Sequence, residues 1–414
     1  MSFASLWETL KPIGRTPRGY RRYTWTQSDA ECREWFTEQA RLRGLDVETD
    51  RNGNLWAWWG AKGPGAIVTG SHLDSVPDGG AFDGPLGVVS ALAAIDLLRE
   101  RGIAPVRPLA VTVFVEEEGA RFGLACLGSK LMTGAVTPDQ ARALTDTEGI
   151  TYAEAMTAAG LDPAAIGPDE DLVTRVAAFV ELHIEQGRAL AAAPMATRGA
   201  RTPSGRGSCA TGPLGVAAGI WPHGRWRVDF EGVADHAGTA RFEDRRDPML
   251  PFAATVLAAR EAAAERGALA TFGKVIAEPG GVNGVSAAVH AWLDARAADE
   301  ETLLDTVTTI RSSCLGFSQE HGVTVSIRQE SAAPEVRFDA GLRDRISAVL
   351  GGVPVLPTGA GHDAGVLAAR VPTAMLFVRN PTGVSHSPAE HAELADCEAG
   401  ARALAAVLEE LACR

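Results

Sequence analysis

The sequence has few of the features that mark several common classes of protein. Its six cysteines are scattered over 414 residues without a CxxC pair, so neither a disulfide framework nor a thiolate metal site is expected. The GxSxG signature of a nucleophilic serine is absent. No stretch of eighteen apolar residues occurs, and the first residues include no apolar signal segment. A net charge of −13 argues against nucleic acid or an anionic membrane as a partner. We therefore expect a cytoplasmic protein.

The composition and the apolar patterns predict an α/β protein. Hydrophobic residues make up 46% of the chain and charged residues 22%, and the length allows two domains. Residues 109–115 and 177–183 are typical of buried strands, and residues 85–102 have the apolar stripe, first-turn proline and final glycine of a helix. Such alternation favours a largely parallel sheet, in which ligand sites form at the carboxyl ends of the strands.

The pattern changes after residue 190. Residues 191–212 are small, glycine-rich and basic, which indicates a flexible loop or linker. A strand, a helix and two more strands, typical of a compact α+β insert, are predicted at residues 224–230, 248–266, 287–294 and 323–328. We therefore predict a discontinuous catalytic domain, residues 1–212 and 331–414, with a smaller domain inserted at 213–330.

The stretch TGSHLDSVPDGGAFDG, residues 69–84, concentrates metal-binding side chains directly after an apolar run. His72 and Asp74 are two residues apart and share one face of an extended segment, so Asp74 could accept the second ring N–H of a metal-binding His72. The glycine-rich loop that follows lets the chain fold back and bring Asp83 to the same metal. The alternative is a capped turn, in which Asp74 or Asp83 accepts hydrogen bonds from backbone amides.

Further acids and histidines follow other apolar runs. Glu116, Glu117 and Glu118 end a predicted strand, where a solvated loop is the ordinary explanation but three carboxylates also indicate a nearby metal cluster. One acid could bind metal and a neighbour could act as general base for water, and the spacing does not say which. His183 ends another strand and His386 lies in a polar loop. Each histidine alone is more readily structural, but together they complete the imidazoles of a binuclear site.

Three polar residues of the predicted insert are candidates for substrate binding. His236 lies in the turn DHAGTA and Asn283 in GGVNGVS. Arg296 ends an otherwise apolar strand, where its guanidinium could hold a carboxylate through two hydrogen bonds. The alternative for Arg296 is an ion pair with Asp294 or Asp299.

Seven motifs resemble, in order, those of the hydantoinase/carbamoylase branch of the M20 metallo-amidases: GSHLDSV…FDG, EEEGARF, HIEQG, HAGT…RRD, VN…LDAR, GAGHDA and SHSP. That branch includes N-carbamoyl-L-amino-acid hydrolases, allantoate amidohydrolases and β-ureidopropionases. The resemblance covers the chain from about residue 20 to its end. It implies an α/β catalytic domain with a central mixed sheet flanked by helices, and a smaller inserted α+β domain that serves as lid and dimerisation domain.

The resemblance also implies roles for the matching residues. Asp83 would bridge two divalent ions (Zn, Mn, Ni or Co), with His72 and His183 on one ion and Glu118 and His386 on the other. Other matching residues would act in catalysis: Glu117 as general base and acid, Asp74 as a catalytic residue beside His72, and His236 as the hydrogen-bond donor to the oxyanion. The residues that would bind the substrate are Asn283, Arg296 and Gln186.

The implied reaction is hydrolysis of the ureido C–N bond of an N-carbamoyl-L-amino acid or allantoate, with release of ammonia and CO2. The active form would be a homodimer in which His236 reaches the partner's site. The alternatives are an M20 peptidase or deacylase that cuts a plain amide, and a non-catalytic metal-binding protein. Two departures from the family pattern, Ala240-Arg241 after HAGT and the length of residues 191–212, bear on the substrate's distal group.

Overall fold

The computed structural model of the protein describes residues 2–191 and 212–414. They form two compact units, one of Met1–Gly219 with Arg337–Arg414 and the other of Ile220–Val336. The linker predicted at 191–212 lies outside the described residues except for its two end positions.

The helices and strands of the first unit lie on both sides of the insert in the sequence. The first unit begins with α1 (Phe3–Leu10), β1 (Arg15–Thr16), β2 (Gly19–Tyr20), α2 (Gln27–Leu42), β3 (Asp46–Thr49), β4 (Leu55–Trp59), β5 (Ala66–His72), α3 (Pro85–Glu100), β6 (Leu109–Phe114), α4 (Leu127–Thr133), α5 (Pro138–Arg142), α6 (Tyr152–Ala158), α7 (Glu170–Arg175), β7 (Val176–Ile184) and β8 (Leu214–Ile220). The insert contains β9 (His223–Glu231), β10 (Asp235–His236), a 3-10 turn (Phe242–Asp244), α8 (Met249–Arg266), β11 (Leu269–Glu278), β12 (Gly284–Val285), β13 (Ala288–Arg296), α9 (Glu300–Glu320) and β14 (Thr324–Ala333). The chain ends with β15 (Val336–Arg337), α10 (Ala340–Val349), β16 (Val355–Thr358), α11 (Asp363–Leu367), β17 (Thr373–Val378) and α12 (Leu394–Ala412).

A mixed sheet forms the centre of the first unit, which confirms the predicted α/β class. Within the described residues it has nine strands in the order β15-β8-β17-β7-β5-β6-β4-β3, with β16 paired to β8. Strands β17, β7, β5 and β6 are parallel, whereas β8 and β4 run antiparallel to their neighbours. The carboxyl ends of the four central strands therefore meet at one edge.

Helices α3 and α12 cover one face of this sheet. Leu92 of α3 and Leu408 of α12 lie in one buried core with Val111 and Val180 of the sheet. Burial of each large apolar side chain contributes roughly 1.5–3 kcal/mol. Helix α3 begins at Pro85, as predicted, because proline has the φ of a first helical turn and needs no N–H there. None of the helices in the described part of the chain is long and apolar enough to span a membrane.

The insert is an antiparallel sheet with the order β11-β13-β9-β14, covered on one face by α8 and α9. Burial alternates along β13 because successive side chains point to opposite faces. The sequence correctly predicted α8 and strands β9, β13 and β14. It missed α9, whose start is marked by the Asp299 side chain accepting from Thr302 N–H, and it missed β11, an edge strand with many exposed residues. The role of the insert as lid and dimerisation domain stays a prediction.

Candidate metal centre

The carboxyl edge of the mixed sheet carries the predicted histidines and acids of the first unit. His72 is the last residue of β5 and His183 lies near the end of β7, with ring centroids 6.0 Å apart. The three glutamates follow β6, and His386 lies in the loop between β17 and α12. The parallel strands thus bring together side chains that are far apart in the sequence.

Asp83 lies between two groups of potential ligands. Its Oδ1 is 3.5 Å from His72 Nε2 and 3.1 Å from His183 Nε2. Its Oδ2 is 3.7 Å from His386 Nε2, and the same nitrogen is 3.4 Å from Glu118 Oε2. In each group of three, the potential ligand atoms lie within 4.8 Å of one another. The two oxygens of one carboxylate therefore face two sets of ligands, as a bridge between two ions requires.

Gly84 allows this approach. It precedes α3 with φ +82°, a conformation that other residues rarely adopt. A Cβ at this position would lie 2.5 Å from ring atoms of His72. The glycine therefore lets the Asp83 carboxylate and the imidazole share one small space.

The two buried histidines are oriented so that each ring, when neutral, has the tautomer that a metal ligand needs. His72 Nδ1 lies 3.2 Å from the Asp74 carbonyl oxygen, and His183 Nδ1 lies 2.9 Å from that of Ile184. A carbonyl only accepts, so in each neutral ring the proton is on Nδ1 and the Nε2 lone pair faces the cluster. Both Nε2 atoms are buried and have no hydrogen-bond partner within the described residues. These orphaned acceptors fit divalent metal ions.

The three consecutive glutamates have different surroundings. Glu116 has φ +53°, and its Oε1 accepts from the N–H groups of Arg121 and Phe122, so this side chain closes its own loop. Glu117 Oε2 lies 3.7 Å from His72 Nε2. Glu118 faces His386, as described above. The geometry thus separates a loop-forming acid from two acids that face the cluster.

Asp74 holds this acidic loop in place. Its Oδ1 accepts from Glu117 N–H at 3.3 Å and its Oδ2 from Glu118 N–H at 3.0 Å. The same carboxylate lies 3.4 Å from His72 Nδ1. The carboxylate therefore binds backbone amides, as the alternative for Asp74 expected, whereas the hydrogen-bonded partner of His72 Nδ1 is the Asp74 carbonyl oxygen.

The carboxylates of the cluster are difficult to ionise together. Burial, reinforced by the charge of Asp83, raises the pKa of Glu118 to about 8. Burial also raises the pKa of Glu117 well above its usual value. Burial opposes ionisation of Asp83 too, but His183 and His72 hold its pKa well below the usual range. A pair of divalent cations would supply the positive charge that keeps all three acids ionised.

Residues outside the expected ligand set also hold Asp83. Gln186 Nε2 donates to Asp83 Oδ2 at 2.7 Å, and Ser385 Oγ donates to the same oxygen at 3.1 Å. Gln186, predicted to bind substrate, therefore orients the shared carboxylate with its N–H2 group. Its Oε1 is buried and has no hydrogen-bond partner within the described residues. No spacing in the sequence marked Ser385.

The GAGHDA motif lies behind the cluster. His362 is buried and packs edge-on against His183, with ring centroids 4.5 Å apart. Asp363 accepts from Ser129 Oγ at 2.5 Å, and burial raises the pKa of Asp363 to about 8. Glu181 accepts from Ser71 Oγ at 2.7 Å. These buried polar side chains support the histidine edge, and their roles could not be read from spacing.

The remaining predicted residues belong to the insert. His236 is exposed on β10, which pairs with β12, and Ala237 N–H donates to the Asn283 carbonyl at 2.9 Å. Gly238 N–H donates to His236 Nδ1 at 3.0 Å, so a neutral His236 carries its proton on Nε2. Arg296 forms a bidentate ion pair with Asp294, at 2.7 Å from Nε and 3.1 Å from Nη2. The ion pair that was the alternative for Arg296 is therefore present.

The charge introduced by Arg241, beside the HAGT turn, is paired within its own loop. Arg241 Nη2 lies 2.7 Å from Asp244 Oδ2, and Nη1 lies 3.3 Å from Glu243 Oε1. All three side chains are more than half exposed. This departure from the family pattern therefore adds little net charge near His236.

The comparison with known proteins settles the family. Residues 68–410 match the profile of Peptidase family M20/M25/M40, which is most of the chain. The protein belongs to the M20 family. The family resemblance found in the sequence is thus confirmed.

Several M20 relatives share nearly the whole chain. The N-carbamoyl-L-amino acid amidohydrolase of Geobacillus stearothermophilus is 35% identical over 98% of this chain and 98% of its own. The allantoate amidohydrolase of Escherichia coli is 32% identical over 97% of this chain and 96% of its own. Both are hydrolases of non-peptide C–N bonds.

Solved structures of other proteins show the same fold. A hydantoinase/carbamoylase family amidase from Burkholderia vietnamiensis superposes with a TM-score of 0.84 at 28% identity, over 100% of this chain and 98% of its own. The aminopeptidase PepT of Bacillus cereus, at 17% identity and a TM-score of 0.61, is similar in fold alone over 99% of each chain.

Proposed function

We propose that the protein is a binuclear metal-dependent amidohydrolase that cleaves the ureido C–N bond of an N-carbamoyl-L-amino acid or allantoate, releasing ammonia and CO2. One observation carries the proposal: Asp83 presents one oxygen to His72 and His183 and the other to His386. Relatives that cover nearly all of the chain are named for ureido substrates of this kind.

The metal centre would be held by five side chains. His72 and His183 would bind one ion and Glu118 and His386 the other, with Asp83 shared. Divalent ions bound there supply activation of water and polarisation of the substrate carbonyl. Mixed imidazole and carboxylate ligands suit Zn²⁺, Mn²⁺, Ni²⁺ or Co²⁺.

Glu117 is the proposed general base and acid. Its side chain is buried and its Oε2 faces His72, beside the shared carboxylate and outside the two groups of three potential ligands that contain Asp83. In this role Glu117 takes a proton from water and delivers it to the leaving nitrogen. The hydrogen bonds from its own N–H and that of Glu118 to Asp74 fix the backbone while the proton moves.

Three residues of the insert and Gln186 of the first unit would bind the substrate. The Nε2–H of His236 is the proposed donor to the oxyanion. Arg296 and Asn283 would bind the substrate carboxylate, with Asp294 orienting the guanidinium through its bidentate pair. Gln186 Oε1, which lacks a hydrogen-bond partner within the described residues, would accept from a substrate N–H. The proposed active form is a homodimer, with the insert as lid and dimerisation domain.

The test is ammonia release by protein loaded separately with Mn²⁺, Zn²⁺, Ni²⁺ and Co²⁺. The substrates are allantoate, N-carbamoyl-L-amino acids, their D-forms, N-carbamoyl-β-alanine and ureidoglycolate, the last because a rice relative, 30% identical over 94% of this chain, is named ureidoglycolate hydrolase. We expect ammonia from an L-ureido acid or allantoate. Release of an amino acid from a control dipeptide without ammonia from any ureido compound would refute the proposal and favour a peptidase. Light scattering of the same sample tests the dimer.

A further inference from the structure

Glu390 lies on the loop that carries His386 and contacts the loop that carries Asp83. Its side chain is 5% exposed, and its Oε1 accepts from Phe82 N–H at 2.8 Å and from Asp83 N–H at 3.0 Å. The second oxygen, Oε2, is buried and has no hydrogen-bond partner within the described residues. One carboxylate oxygen thus fixes the backbone on the N-terminal side of the shared aspartate.

This contact holds the backbone on the side of Asp83 that lies before the helix. After Asp83 the chain enters α3 through Gly84, so the helix fixes the C-terminal side. Before it lies the glycine pair Gly79-Gly80, and a Cβ on Gly80 would come within 2.5 Å of Glu390. The glycine therefore leaves the space that the Glu390 carboxylate fills.

Two further contacts join the same loops. Ser385 Oγ donates to Asp83 Oδ2 at 3.1 Å, one residue before His386. The ring of His391 packs edge-on against that of Phe82, with centroids 6.2 Å apart. The two ends of segment 385–391 thus contact Asp83 and Phe82, and His386 lies between these two contacts. His386 itself has φ +55°, a conformation that is uncommon for residues other than glycine.

We infer that Glu390 is a positioning residue of the metal centre. Through its hydrogen bonds to Phe82 and Asp83, it sets the shared carboxylate against His386. This inference rests on the proposed metal site and adds a residue that binds neither metal nor substrate. The hydrogen bonds, rather than the charge, perform this role, because a glutamine oxygen can accept both and Oε2 has no partner to lose.

The experiment measures the affinity of chelator-stripped protein for Zn²⁺ and Mn²⁺ by competition with a chromophoric chelator. Loss of groups that orient metal ligands typically lowers metal affinity by about 10–100-fold, and we expect this for Glu390→Ala. Glu390→Gln should bind metal as the unchanged protein does. Gly80→Ala, which would push the Glu390 carboxylate from its place, should also weaken binding, and it serves if Glu390→Ala does not fold.

Glu185→Ala is the matched control. Glu185 is also buried and accepts from two backbone N–H groups, at 2.5 Å from Ala189 and 3.0 Å from Leu190, which bear no proposed ligand. We expect Glu185→Ala to lower the melting temperature of the metal-free protein about as much as Glu390→Ala, with metal affinity unchanged.

Unchanged metal affinity in Glu390→Ala, or equal losses in Glu390→Ala and Glu185→Ala, would overturn the inference while leaving the proposed function in place. Weak binding in Glu390→Gln, equal to that of Glu390→Ala, would show that charge matters and would also overturn it. Absence of metal binding by the unchanged protein would instead refute the metal site on which both proposals rest.

Discussion

Replacing each of the three consecutive glutamates by glutamine should give three different phenotypes. The substitution makes the same chemical change at neighbouring positions, so any difference reflects what each side chain faces. For Glu117→Gln we expect kcat to fall by about 10²–10⁴, the usual contribution of a general acid–base group, or roughly 3–5 kcal/mol at 1.36 kcal/mol per tenfold. Metal content should stay unchanged, because Glu117 lies outside the two groups of potential ligands around Asp83.

The neighbouring variants are the controls. Glu118→Gln loses a carboxylate that lies 3.4 Å from His386. We therefore expect it to bind the ion proposed for Glu118 and His386 more weakly, and to lose less kcat than Glu117→Gln when metal is saturating. Glu116→Gln keeps an oxygen that can accept from Arg121 and Phe122, so both metal content and turnover should persist.

The assays are metal analysis of purified variants and ammonia release with the preferred substrate. If Glu117→Gln keeps most of its turnover, Glu117 is not the base. If Glu116→Gln loses turnover as severely as Glu117→Gln, the three acids act as one charged block, and the separate roles assigned from their contacts are wrong.

Three further changes test other parts of the molecule. His236→Ala should lower kcat by about 10²–10³, the usual loss for one oxyanion donor, with an unchanged melting temperature because the side chain is exposed; unchanged kcat would remove it from the reaction. Arg296→Ala should raise KM for carboxylate substrates, whereas Arg225→Ala, which removes another partner of Asp294 at 3.5 Å, should not; equal KM values in both variants would place the carboxylate elsewhere. Asp29→Asn should stabilise the protein at pH 8 but not at pH 4, because burial raises the pKa of Asp29 from 3.8 to about 6. The folded state then binds its proton more tightly, stability falls as pH rises through this window, and the ionised carboxylate costs up to about 3 kcal/mol above it. Equal urea midpoints for Asp29→Asn and the unchanged protein at pH 8 would show that Asp29 carries no such cost.

The strands and helices that form the site could be predicted because their apolar patterns are local. The run at 109–115 is buried β6 (Leu109–Phe114), and the proline and glycine that bound 85–102 bound α3. Parallel strands then place the residues after them at one edge whatever their separation in the sequence. The missed α9 and β11 belong to the insert, where the apolar pattern is weaker and the exposed edge of a sheet imposes little on its sequence.

The separate roles of the glutamates could not be derived from spacing. Three identical side chains in a row differ only in the direction that each backbone position gives them. The left-handed φ of Glu116 turns its carboxylate back to the amides of its own loop. Asp74, which precedes the triplet by more than forty residues, fixes the next two amides. The family resemblance supplied roles for Glu117 and Glu118, and the contacts supply a physical reason for the difference.

Glu390 was missed for a related reason. Its partners are backbone N–H groups, which every residue except proline has, so a sequence cannot show which amides a distant carboxylate will find. The only local trace is Gly80, whose missing side chain leaves room for the carboxylate. Metal ions bind particular side-chain types, so candidate ligands can be recognised in a sequence as histidine, aspartate and glutamate. The residues that orient those ligands act through packing and through single hydrogen bonds, which do not require one particular side-chain type. They become visible only when the loop at 80–83 and the loop at 385–391 are seen in contact.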